Sequence, residues 1–180
     1  MGAATAGLAG RLAAKFGKPF AGPPGLRHLF PTPEVLAEAK LAGIGWTGAR
    51  AATIRELARA VASDKIDFER VVDTDTFLGL LCEIPGIGKW TAQYVAMRAL
   101  REPDAFPSSD LGLLRALKIK SYRDLESRAE AWRPWRAYAA MYLWKLGAVS
   151  LPPNEIPTSF ATRKKSSADA SPESSRFLAV

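Results

Sequence analysis

Apolar residues along the chain recur at helical intervals and nowhere alternate as a strand would. Phe77, Leu80, Leu81 and Ile84 fall at i, i+3, i+4 and i+7, which puts them on one face of a helix. Leu8, Leu12 and Phe16 mark a first helix over residues 3–16, with Gly17 as its C-terminal stop. Ile54, Leu57, Ala58 and Val61 form the buried stripe of another helix, and Arg50, Arg55 and Arg59 take its other sides. Near the end, Trp135, Tyr138, Ala139, Tyr142 and Leu146 share one face of a last helix, predicted to start with Pro134 at its first position and to stop at Gly147. The pattern predicts an all-α fold.

Between these stripes the punctuation is equally regular. Thr32-Pro33-Glu34 reads as an N-cap, a first-turn proline and an acidic first turn, opening a short helix that runs to about Leu41. Gly43-Ile44-Gly45-Trp46 makes a helix–helix turn, after which Thr47 caps the next helix. Ser121 caps YRDLESRAEAW, and residues 17–32, with four prolines and three glycines, read as a surface loop. At Pro85-Gly86-Ile87-Gly88 the corner is tighter. Proline disfavours helix at Ile84, glycine tolerates positive φ, and a new helix can start at Lys89 or Trp90. This makes a helix-hairpin-helix, whose tip presents unpaired N–H groups and the positive end of a helix dipole to an anion.

Composition narrows the partner. The 180 residues are 48% hydrophobic, enough for one core, and carry a formal net charge of +7. Residues 1–150 hold 21 Lys and Arg against 15 Asp and Glu, so the basicity belongs to a single folded domain, and nucleic acid leads as partner. Beyond Leu151 the sequence turns proline- and serine-rich, with too few large apolar residues for a core, so residues 151–180 are predicted to form a disordered tail. Cys82, the single cysteine, excludes an internal disulfide and a four-cysteine iron–sulfur cluster. No apolar run approaches the ~20 residues of a membrane span, and no secretory signal stands at the start, so the expectation is a monomer in the cytoplasm, at the nucleoid if the source is bacterial.

Asp110, after Pro107-Ser108-Ser109 and before LGLLRAL, lies at a helix N-cap. Such a carboxylate can serve the backbone alone. Trp90, Tyr94, Trp132, Trp135, Tyr138 and Trp144 can likewise be core filling. Their order, however, is distinctive: EIPGIGKWTAQYVAMRAL, then PDAFPSSDLGLLRAL, then WRPWRAYAAMYLW. This arrangement resembles the helix-hairpin-helix DNA glycosylase superfamily, and its closing segment the 3-methyladenine DNA glycosylase II branch, over residues 1 to about 150.

The resemblance implies hydrolysis of the N-glycosidic bond of alkylated purines in duplex DNA, with Asp110 as the catalytic carboxylate. Trp90, Tyr94 and Trp144 match the base pocket, where electron-rich rings attract a cationic alkylated base by roughly 0.5–2 kcal/mol each. Gly86, Gly88 and Lys89 match the phosphate contacts. The main-chain carbonyls of Cys82, Ile84 and Ile87 match those that hold a monovalent cation, sodium or potassium; no other cofactor is implied. In lyase members a lysine stands at the position of Trp90, and Lys89 is about 100° round the helix from it, so a monofunctional enzyme is expected. Members of the branch also carry an additional N-terminal domain and a GQQVSV-like motif with a wedge side chain; the chain begins where that motif would end. Reduced excision, or a noncatalytic DNA-binding module, is therefore the alternative expectation.

Overall fold

The computed structural model describes residues 3–71 and 73–148, and the expected tail lies outside them. Eight α-helices are found among these residues, with one isolated bridge between Pro19 and His28 and no strand. They are α1 (Ala3–Phe16), α2 (Pro33–Glu38), α3 (Gly48–Ala62), α4 (Thr74–Cys82), α5 (Lys89–Val95), α6 (Leu111–Leu117), α7 (Tyr122–Ala129) and α8 (Arg136–Ala148). The all-α expectation is met. None of the described helices is long and apolar enough to cross a membrane.

Caps set most boundaries as the sequence predicts. Thr47 Oγ1 accepts from Arg50 N–H, and Ser121 from Arg123 N–H. Asp73 opens α4 by accepting from Thr76 N–H, and its bonds to the Thr76 hydroxyl and amide hold its carboxyl below the usual range. Thr32 departs from the pattern, because it precedes Pro33 as expected but caps no amide. Its hydroxyl serves the Glu34 carboxylate and lowers that group's pKa. α2 also ends early, at Glu38 rather than near Leu41.

Three apolar clusters hold the helices together. α1, α2 and α3 enclose Leu12, Leu41, Ile44 and Ala58. α4 and α5 meet over Ile66, Phe77, Leu81, Ile84 and Ile87. The third joins α6, α7 and α8 around Leu113, Leu125, Trp132 and Leu143, with Phe106 edge-on to Trp132 at 5.9 Å between centroids.

The last helix corrects the sequence reading in two ways. It begins at Arg136, two residues past Pro134, and the Arg133–Pro134 bond is cis. Its buried side is Ala137, Ala139, Ala140, Leu143 and Leu146, while Trp135, Tyr138 and Tyr142 are exposed. Small side chains let α8 approach α6 closely, and the rings that seemed to mark the buried face are turned outward. A further departure lies in α5, whose last turn widens into a π turn over Ala96–Leu100 before Arg101 breaks it at φ 58°.

Candidate functional site

The hairpin forms as predicted. α4 ends at Cys82, residues 83–88 turn, and α5 starts at Lys89 with Gly88 as N-cap. Its two glycines do different work. Gly86 takes φ +92°, and a Cβ there would lie 2.2 Å from Thr53 Oγ1. That hydroxyl donates to Pro85 O at 2.8 Å, clasping the turn to α3 from 32 residues away in sequence. Gly88 has φ −94°, and a Cβ on it would meet nothing within 4 Å. Gly86 is therefore demanded by the fold, whereas Gly88 leaves the tip bare. Lys89 stands exposed beside it.

We therefore expect Gly86→Val to destabilise the chain, since a left-handed backbone costs a residue with a Cβ about 1–2 kcal/mol even before the Thr53 clash. Gly88→Ala should melt close to the parent. Thermal melts of the two variants check the difference, and equal losses would refute it.

Beyond α5, the loop 101–109 carries the chain back to the carboxylate. Gln93 Oε1 accepts Phe106 N–H at 2.9 Å, Phe106 and Pro107 are buried, and Asp110 N–H donates to Pro107 O at 2.9 Å. Asp104 pins the same loop to α8, where its two oxygens accept from Arg136 Nε and Nη2 at 2.8 Å each, a two-pronged pairing of limited exposure. Arg133 also reaches Asp104, and it bonds Glu130 at 2.7 Å. That bond holds Glu130 below the usual carboxylate range. The stabilisation from a carboxylate lowered in this way is present at neutral pH and is lost as the pH falls through its folded-state value.

Asp110 caps α6 and does more. Its Oδ1 accepts from Leu113 N–H and from Trp144 Nε1–H, both at 2.9 Å, and its Oδ2 accepts from Trp90 Nε1–H at 2.8 Å. Three donors from three elements fix the carboxylate's rotamer. A carboxylate offers about four acceptor directions, so one remains, on Oδ2. The cap reading and the catalytic reading of Asp110 are thus compatible, with one oxygen serving the backbone and the other turned to Trp90.

Two of the three rings assigned to the base pocket, Trp90 and Trp144, hold this carboxylate, and the third, Tyr94, packs against both of them. Trp90 stacks on Tyr94 at 5.5 Å and 12°, and Tyr94 tilts against Trp144 at 5.9 Å and 53°. Trp90 is 40% exposed, so the rings form an open wall beside Asp110. A separate cavity of about 260 Å³ also adjoins Trp90; it is lined by Lys89, Gln93, Ser108, Arg133 and Arg136, and its lining includes none of Asp110, Tyr94 and Trp144. The hairpin and the carboxylate therefore flank one aromatic surface. Thr53 and Gln93, which secure the hairpin and the loop, carry no sequence signal, because their partners are 32 and 13 residues distant.

A glycine-cornered hairpin followed by a helix and an N-capping aspartate is the order on which the resemblance to the helix-hairpin-helix DNA glycosylases rests, and the structure has that order. No family model matches the chain. It is 41% identical over 141 residues to a probable bifunctional transcriptional activator/DNA repair enzyme AlkA of Mycobacterium tuberculosis, covering 76% of this chain and 28% of that protein. With a DNA-3-methyladenine glycosylase of Bacillus subtilis it shares 36% over 121 residues, covering 62% of this chain and 40% of the other. The chain thus spans less than half the length of these relatives. Among solved structures, the 3-methyladenine DNA glycosylase of Archaeoglobus fulgidus superposes with TM-score 0.70 at 24% identity, over 84% of this chain and 55% of that one. Schizosaccharomyces pombe Mag1, in complex with abasic DNA, gives 0.69 at 22%, over 82% and 73%. The two structures show the fold. The chain belongs to the helix-hairpin-helix DNA glycosylase superfamily, in the 3-methyladenine DNA glycosylase branch.

Proposed function

We propose that this chain is a monofunctional DNA glycosylase that takes an alkylated purine of the 3-methyladenine type out of duplex DNA and hydrolyses its N-glycosidic bond. The observation that carries this reading is Asp110, held by Trp90 and Trp144 with one acceptor direction of Oδ2 left over. Cleaving the bond builds positive charge on the sugar, and a fixed carboxylate stabilises that charge without reorganising. The remaining acceptor direction on Oδ2 suits a water that attacks the sugar, because the carboxylate can take its proton as the new C–O bond forms. The departing base would lie on the ring wall of Trp90, Tyr94 and Trp144, where cationic bases are favoured over neutral ones. Trp90, not an amine, adjoins the carboxylate, which favours hydrolysis over Schiff-base chemistry.

The hairpin would hold the DNA. Gly88 and Lys89 offer backbone N–H groups and a cation to a phosphate, a contact that positions the duplex without reading sequence or damage. Carbonyls of Cys82, Ile84 and Ile87 would hold a sodium or potassium ion. Hard oxygen donors fit such a cation, and Ile84 O, which accepts Ile87 N–H at 3.0 Å, retains a second lone pair. The ion would add positive charge near the phosphate. A monomer acting on the cell's own DNA follows from this reading.

Release of free base from methylated duplex DNA, followed by chromatography, tests the proposal. Alkylated purine should appear in solution, leaving an abasic strand uncut until alkali is added. Strand cleavage without alkali would make the chain a lyase, and DNA binding without base release would make it a noncatalytic module. In a binding titration with methylated and unmethylated duplex, Gly88→Ala should weaken binding to both alike. Lost preference for damage at unchanged affinity would instead place Gly88 in the base pocket.

A further inference from the structure

Gly112 occupies the second position of α6, where helix propensity favours almost any residue over glycine. It is exposed, and its φ is not in the left-handed region, so neither core packing nor the backbone calls for a missing side chain. What a Cβ would meet explains it. The three nearest atoms are Asp110 Oδ1 at 2.9 Å, Trp144 Cδ1 at 3.4 Å and Trp144 Nε1 at 3.6 Å. Two of these are the partners of the 2.9 Å hydrogen bond between Asp110 and Trp144. Other helical glycines are unlike it: a Cβ at Gly10, Gly48 or Gly79 would meet nothing within 4 Å, and one at Gly147 only the Ala116 methyl at 3.8 Å.

We propose that Gly112 is a positioning residue, whose bare Cα leaves the space in which the Asp110 carboxylate and the Trp144 indole meet. An alanine methyl cannot remain 2.9 Å from Oδ1, since ordinary contact begins at about 3.4 Å. The Trp144 ring is packed against the third apolar cluster, so the carboxylate, although held by three donors, is what must shift by a few tenths of an ångström, turning Oδ1 from the indole and Oδ2 from its set direction. The inference rests on the excision reading above for its catalytic consequence, but its geometry can be tested separately.

The experiment compares Gly112→Ala with the parent chain and with Gly10→Ala, a helical glycine in open space remote from the site. Misplacing a catalytic group by ~1 Å costs on the order of 100-fold, so this smaller shift should slow single-turnover excision by about 10-fold. Affinity for the same duplex should be unchanged, because the hairpin is untouched. The melting temperature should hold, as better helix propensity offsets a strained cap. The Trp144 indole N–H resonance, assigned with Trp144→Phe, should move in Gly112→Ala and stay in Gly10→Ala. Excision within about twofold of the parent, or slowed excision with the Trp144 resonance unmoved, overturns the inference. If the parent itself releases no base, the excision reading fails. The resonance then decides alone: moved, it supports the role of Gly112, and unmoved, it removes it.

Discussion

Asp110→Asn should abolish base release, by roughly 100- to 1,000-fold or more, as expected when one preorganised electrostatic group is removed from a transition state, while leaving DNA affinity nearly unchanged. Asparagine is as good an N-cap as aspartate, so its carbonyl can still accept Leu113 N–H and α6 should stay capped. The amide differs at the other end. It carries two N–H donors where Oδ2 now accepts from Trp90, so donor would face donor and the indole would lose its partner. The negative charge is gone as well. Charge on the sugar appears only as the bond breaks, so the effect falls on the rate and not on ground-state binding. Single-turnover excision, duplex affinity and a thermal melt, measured together, check this. Near-parental excision would leave Asp110 as a cap alone, and a melt lowered by much more than the ~1 kcal/mol of a lost cap would show that its role is structural.

The paired substitution Trp90→Phe with Trp144→Phe comes next in size. Each change keeps a ring on the wall and deletes one N–H donor to the carboxylate. Hydrogen bonds to a charged group contribute about 1.5–3 kcal/mol, so each single variant should lose about tenfold in excision rate and the pair about 100-fold. Stability should change less, because the site is open enough for water to replace the lost donors. Phenylalanine also attracts a cation less well than tryptophan, so preference for alkylated over neutral bases should fall modestly. Competition between methylated and undamaged duplex separates the two effects. If the doubly substituted chain excises at the parental rate, the indole N–H groups do not orient Asp110, and the rings serve the base only.

Much of this architecture could be read along the chain because it is local. Thr47, Asp110 and Ser121 cap helices through amides two or three residues ahead, so their chemistry is written within one turn. Pro85 and Gly86 likewise fix the corner by backbone restriction. The prediction failed where competing choices were equally local. α8 carries apolar residues around its whole circumference, so periodicity alone did not select a face. The rings of Trp135, Tyr138 and Tyr142 looked like the natural core, yet they face outward, and Ala137, Ala139, Ala140, Leu143 and Leu146 are buried instead.

The sequence by itself therefore determined an all-α chain with a glycine-cornered hairpin and an aspartate capping the helix that follows it, because caps and turns depend on neighbours a few residues apart. Only the tertiary structure decided what that aspartate meets. Trp90 lies 20 residues before it and Trp144 lies 34 after, and no spacing rule states that both indole N–H groups will point at one carboxylate. The same is true of Thr53 beneath Gly86 and of the space left beside Gly112. Those relations are set by how α3, α5, α6 and α8 pack around three separate apolar clusters, and a hydrogen bond across such distances forms only once that packing has brought the partners together.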